Sequence, residues 1–267
     1  MRLLALVYGL VAAAMFAAAT LYLPIFLAFY VVPKTWREPI YSRTIANRYI
    51  PAIDSEAGGR ADDAVLINLG LLAAFAIPHS LMARDSFKRV WTRIIPQPIE
   101  RSTYVIVASL LLAAQFWFWK PIPEFVWPLE GTILATTDSQ FRLVFQIFFW
   151  AGIAITFLSA LMVAPGELTG LRQVWHYFRG QTYAPPPLRT PLFYRFVRHP
   201  GMLGLLIAFW ASPVMTLGHM LFALVMSIYI VIGARLEERD LVKLYGDAYR
   251  DYQRNTSMLL PLRWRRG

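Results

Sequence analysis

Two adjacent carboxylates, Glu237 and Glu238, stand where a long apolar run ends near residue 236. Carboxylates at the carboxyl end of a helix face the unfavourable pole of its dipole and need a cation. Arg198, Arg235 and Arg239 are available for a purely structural pair, and a positively charged ligand is the functional alternative. Arg198 and His199 immediately precede Pro200. Proline suits the first position of a helix, so these two side chains stand at a helix entrance. Free backbone N–H groups there bind anions, including a carboxylate, although a His-Pro pair also serves as a simple cap. A cation-binding end and an anion-binding end on two arms of one hairpin suit an amino-acid zwitterion carrying a further positive centre. Arg172, Gln173 and Tyr194 add polar groups to the same stretch of chain.

The elements that must hold these residues are membrane helices. Of 267 residues, 57% are hydrophobic and 16% charged, too few charges to solvate a globule of this size. A span needs about 20 apolar residues, which places helices near 3–30, 64–82, 102–119, 141–163, 202–214 and 216–236. The expected class is therefore all-α, a polytopic protein of about six spans. The fifth is short for a full crossing, which makes the last two a tilted or incomplete helical hairpin. The first run is about twice the length of a signal-peptide core, so it is read as a retained span. Cysteine is absent, excluding disulfides, thiolate metal sites and a cysteine nucleophile. No metal site is expected.

The net charge of +10 is dispersed between the apolar runs and not gathered into a basic domain, which points to anionic lipid headgroups and away from nucleic acid. Most Lys and Arg fall at the amino end, in 83–101, in 165–199 and after 235, so the positive-inside rule puts both termini in the cytosol. The loop 33–63 is the exception, mixing basic residues with Glu38, Asp54, Glu56, Asp62 and Asp63. Residues 84–95 and 237–254 repeat apolar side chains at helical spacing and read as cytosolic amphipathic helices. Four prolines in 178–191 forbid a regular helix and predict an extended strap.

At these residues a resemblance emerges. RHPGMLG (198–204), FWASPVMTLGH (209–219) and GARLEERDLVKLYGDAYRDY (233–252) resemble the carboxyl half of isoprenylcysteine carboxyl methyltransferases and NnrU-like membrane proteins. With PHSLMAR (78–84), PIERSTYV (98–105) and GLRQVW (170–175), nearly the whole chain resembles the bacterial methanethiol S-methyltransferases. Departures from the pattern are Met202, where an aromatic is common, and the segment 164–169. The resemblance implies one membrane domain, 1–267, with its cofactor-binding part at about 165–262. It implies transfer of the sulfonium methyl of S-adenosylmethionine to a small thiol at the cytosolic face of a bacterial inner membrane. Methanethiol would give dimethyl sulfide, and hydrogen sulfide would give methanethiol. The implied cofactor residues are Tyr194, Arg198, His199, Pro200, Gly204, Glu237, Glu238, Tyr249 and Tyr252; Asn68, His79 and Gln173 are the implied acceptor contacts.

A thiol reacts best as thiolate, and thiols ionise above neutrality, so a base or a cationic neighbour is needed. Arg172, Arg198, His176 and His199 are all candidates, His176 also reading as an ordinary packed side chain. A lipophilic or prenylated acceptor entering between helices is a second reading. A third takes two of the four histidines, His79 foremost, as haem ligands in an NnrU-like isomerase. In the last reading the protein is a scaffold, and the paired glutamates are a structural salt bridge.

Overall fold

The computed structural model describes residues 1–42, 44–45, 48–55, 61–127, 139–163 and 166–261. In chain order its helices are α1 (Arg2–Leu27), α2 (Lys34–Tyr41), α3 (Ala61–Met82), α4 (Asp85–Trp91), α5 (Glu100–Phe118), α6 (Ser139–Val163), α7 (Leu171–Phe178), α8 (Pro200–Trp210), α9 (Leu217–Tyr245) and α10 (Asp247–Asn255). Two short antiparallel pairs join β1 (Thr44–Ile45) to β2 (Arg48–Tyr49) and β3 (Phe125–Trp127) to β4 (Met215–Thr216). Glu56 and Arg60 of the first loop, Ala164 and Pro165, and residues 262–267 lie outside the described residues.

Helices α1, α3, α5, α6 and α9 are each long and apolar enough to cross a membrane. They expose Leu66, Leu110, Phe148 and Ile228 outward, a surface that hydrocarbon and not water would solvate. The protein is an integral membrane protein of the expected all-α class. The fifth crossing differs from the expected span 202–214. Helix α8 has 11 residues, about 16 Å against a hydrocarbon core of about 30 Å. Pro213 disfavours helical backbone at Ser212, and residues 211–216 complete the pass without forming helix. Irregular backbone survives at membrane depth only where protein covers it. Ala211, Ser212, Pro213, Met215 and Thr216 are accordingly buried, and β4 is paired with β3. The sixth crossing is longer than expected, since α9 continues to Tyr245. Gly246, at φ 60°, then turns the chain into α10, so the expected stripe 237–254 is two helices.

Packing fixes which ends meet. At one end, Gly180 lies against the Arg2 side chain and Gly9 against Val174, joining the start of α1 to α7. At the other end, the Ile53 N–H donates to Phe26 O (2.9 Å), Leu217 N–H to Glu124 O (2.7 Å) and Gly218 N–H to Ile122 O (3.1 Å). The first residue of α1 and the last of α9 therefore share one end of the bundle. Against α6, antiparallel α8 packs through small residues. A Cβ on Gly204 would meet Gly152 O and stand 2.5 Å from Thr156 Oγ1, the close backbone approach that glycine permits between membrane helices.

Candidate functional site

At the end shared by the two termini, the sequence Arg198-His199-Pro200 opens α8 with His199 as the N-cap residue and proline in the first turn. A short parallel bridge positions it: Arg198 N–H donates to Ser257 O (2.9 Å) and His199 N–H to Met258 O (3.1 Å). The Arg198 guanidinium grips Glu238 with both prongs, Nε to Oε1 at 2.6 Å and Nη2 to Oε2 at 3.0 Å. It also donates to the carbonyls of Gln253 (3.1 Å) and Thr256. Glu238 accepts further from Gln253 Nε2 (2.9 Å) and lies 3.2 Å from His199 Nε2. Both side chains of this pair are 10% exposed. A fork-to-fork pair of this kind holds the end of α9 to the start of α8 and to α10.

Glu237 is placed differently. Its side chain is 49% exposed, and its ion-pair contact among the described residues is His199 Nδ1 at 3.8 Å. Of the two carboxylates, one is committed to structure and the other faces open space beside a helix entrance. Arg235 and Arg239 pair with neither.

Tyr194, Tyr249 and Tyr252 pack around this cluster. Tyr249 is buried with its ring 5.8 Å from that of Tyr252, Tyr252 donates to Tyr194 O, and Tyr194 donates to Ser159 O (3.3 Å). Burial, reinforced by the Glu237 carboxylate, pushes the Tyr194 hydroxyl up to about 12; burial raises Tyr249 and Tyr252 as well. All three remain neutral donors. Gly204 faces α6 and takes no part in the cluster, while Pro200 starts the helix that carries it.

The implied acceptor residues separate. Asn68 is at the far end, its amide clasping Lys120 through Nδ2 to O (2.7 Å) and Oδ1 to N–H (2.9 Å). Gln173 and Arg172 sit on α7, where Arg172 pairs with Glu167 (3.1 Å) and Gln173 Oε1 is buried without a hydrogen-bond partner. Glu167 also accepts from Tyr183 (2.7 Å). His79 lies closer to the Glu237 side. It is held at both ring nitrogens, Nδ1 at 2.6 Å from the Tyr229 hydroxyl and Nε2 at 2.8 Å from the Tyr104 hydroxyl, and it stacks on Phe75. Tyr104 and Tyr229 were not legible as partners of His79, because a tyrosine inside a span looks like any interfacial aromatic.

These arrangements bear on the haem reading. His79, the histidine foremost in that reading, and His219 each have both ring nitrogens hydrogen-bonded to protein groups, so neither presents a free nitrogen to an iron. Among the described residues, no cluster of three metal-binding side chains occurs. An open apolar cavity of about 630 Å³ flanks the hairpin, lined by Leu206, Val231, Met258, Leu259 and Leu260 with Arg198 and Gln253 as its polar wall.

Fold and site together define a polytopic helical membrane protein whose last hairpin and terminal helix enclose one committed and one accessible carboxylate. Comparison with known proteins narrows this class. The chain is 45% identical to methanethiol S-methyltransferase 1 of Bradyrhizobium diazoefficiens over all of its own length and 84% of that protein. It is 40% identical to the methanethiol S-methyltransferase of Mycobacterium tuberculosis, covering 97% of both chains. Nurim from Sus scrofa is a more distant relative, 29% identical over 67% of this chain and 70% of its own. The chain belongs to the methanethiol S-methyltransferase family. No family model matches it, and no solved structure does.

Proposed function

We propose that the protein is an S-adenosylmethionine-dependent thiol S-methyltransferase that converts methanethiol to dimethyl sulfide and takes hydrogen sulfide as a further acceptor. Family membership supports the reaction, and the observation that carries the site is the unequal fate of the two glutamates. Glu237 presents an accessible carboxylate next to His199, at the start of α8, where the first N–H groups have no partner within the helix. The residues present fit the cofactor. Glu237 would hold its ammonium or sulfonium charge, the α8 entrance its carboxylate, and Tyr194 its rim. When bound, S-adenosylmethionine supplies a methyl group on a positively charged sulfur, open to in-line displacement. Arg198 positions His199 and Glu238 without itself facing the ligand. Alignment of a small acceptor away from water would supply much of the acceleration. The shared end of the termini is read as cytosolic from the basic residues gathered there, in a bacterial inner membrane.

The test is direct. Detergent-solubilised protein given S-adenosylmethionine and methanethiol is expected to release dimethyl sulfide into the headspace, measured by gas chromatography, and to bind the cofactor in a calorimeter. Cofactor binding without dimethyl sulfide would move the acceptor to a larger lipophilic thiol, the reading that the lateral apolar cavity favours. A folded sample with neither property would leave only the scaffold.

A further inference from the structure

Methyl transfer from a sulfonium to a neutral thiol turns one positive charge into one proton, and Glu237 and His199 sit at the cofactor end of the site with no group there assigned to take it. On α9, Tyr229, Gly233 and Glu237 recur at every fourth residue and so share one face. A Cβ built on Gly233 would have no atom within 4 Å. Open space therefore separates Glu237 from Tyr229, and Tyr229 is one of the two hydroxyls on His79. The other, Tyr104, lies under the Arg101 guanidinium, 5.8 Å from its ring. Arg101 makes no ion pair among the described residues, and its Nε is buried without a hydrogen-bond partner. An ionisable side chain within a membrane span is costly unless used, and here three helices supply a histidine, two tyrosines and an unpaired cation to one gap.

We propose, building on the thiol reading above, that Tyr104 is the catalytic group that accepts the thiol proton, with His79 the relay behind it and Arg101 the cation that steadies the thiolate. The tautomer required has Tyr104 donating to His79 Nε2 and His79 Nδ1–H donating to Tyr229. The acceptor's S–H bond breaks as its proton moves to the Tyr104 oxygen, and the Tyr104 proton moves to His79 Nε2. The electron pair left on sulfur forms the new C–S bond, while the pair of the broken C–S bond stays on the donor's sulfur. As Nε2 takes that proton, His79 passes its Nδ1 proton to the Tyr229 oxygen and the Tyr229 proton goes to water, so the ring stays neutral beside Arg101. The titratable and charged groups facing this relay are Tyr229 and Glu237 from α9, Arg101 from α5, and Arg84, which is paired with Asp240 (2.9 Å) beyond the end of α3.

Tyr104→Phe and His79→Gln keep shape and remove the relay. At neutral pH, each is expected to lower methanethiol turnover roughly a hundredfold, the scale of general-base catalysis, with S-adenosylmethionine affinity unchanged within about twofold. The deficit should shrink as pH rises through the thiol's own ionisation, because preformed thiolate needs no base. A second readout omits the methyl donor: thiophenol, whose ultraviolet absorbance reports its ionisation, is titrated with each protein. The wild type should ionise it at a lower pH than in buffer, and Tyr104→Phe, which keeps Arg101, should lose part of that shift. A loss equal at every pH, or thiophenol ionisation identical in wild type and variants, overturns the relay and leaves the triad a tie between helices. Full activity in both variants overturns it too. A wild type that methylates no thiol overturns the reading beneath, and the absence of any product distinguishes that failure.

Discussion

Glu238 accepts from Arg198, Gln253 and His199, whereas the ion-pair contact of Glu237 among the described residues is His199 at 3.8 Å. Identical substitutions at neighbouring positions should therefore act on different properties. Glu238→Gln leaves a guanidinium that is 10% exposed facing a neutral amide, and breaking a buried pair costs about 3–5 kcal/mol. It should lower the melting temperature in detergent and cost cofactor affinity only through the unfolded fraction. Glu237→Gln should leave melting unchanged and weaken S-adenosylmethionine binding at least tenfold by calorimetry; equal affinity would remove Glu237 from the site. That the two glutamates need a cation was legible from adjacent carboxylates beside an apolar run, but the helix dipole is not the reason: α9 runs on to Tyr245, and the dipole acts only within the last turn. Which of the two is tied into the structure was not legible, because its partners come from elsewhere in the chain, Arg198 from the start of α8 and Gln253 from α10 after the turn at Gly246. His79 stood out in the sequence, and the two tyrosines that hold its ring did not, since they stand 25 and 150 residues away.

Among the elements, α8 and α9 carry two glycines whose surroundings differ completely. At Gly204, a methyl group would collide with Gly152 O and the Thr156 side chain across the α6 seam. Gly204→Ala should cost about 1–3 kcal/mol, the range for overpacking, and tilt the α8 entrance enough to weaken cofactor binding in proportion. At Gly233, nothing lies within 4 Å, so Gly233→Leu should fold with unchanged melting and abolish dimethyl sulfide production by filling the gap between Tyr229 and Glu237. Parallel melting curves and headspace assays of both variants check the contrast; an active Gly233→Leu protein would place the ligand elsewhere. Hydropathy located the five helices long and apolar enough to cross, because about 20 apolar residues leave few alternatives. It did not show that α8 stops at Trp210: residues 211–216 read Ala-Ser-Pro-Val-Met-Thr, and Pro213 marked the seam between two spans without showing that extended backbone completes the first. Only the buried pairing of β4 with β3 makes the extended conformation affordable in hydrocarbon.

Across the whole molecule, the end opposite the site is fastened by a residue from the loop whose mixed charges fit poorly with the positive-inside pattern. Asp54 is buried, receiving Thr216 Oγ1–H at 2.6 Å through Oδ1 and lying 2.9 Å from His219 Nδ1 through Oδ2. His219 Nε2 donates to Phe209 O (3.0 Å), since a carbonyl only accepts, and Thr216 also caps α9 by accepting from the His219 N–H (3.1 Å). One carboxylate thus joins the α1–α3 connection to both arms of the last hairpin, 165 residues along the chain. Sequence reading had no access to this tie, because neither periodicity nor charge balance pairs residues so far apart. Asp54→Ala orphans a hydroxyl and an imidazole in a dry interior, and a loss of about 3 kcal/mol follows from breaking a buried pair. Thirty-odd Å of α9, about 1.5 Å per residue, separates this latch from Glu237, so cofactor affinity measured on the folded protein should be unchanged while the melting temperature falls. The opposite pattern, unchanged melting with weakened S-adenosylmethionine binding, would mean that the hairpin moves as a rigid lever and that the outer loop sets the geometry of the inner site.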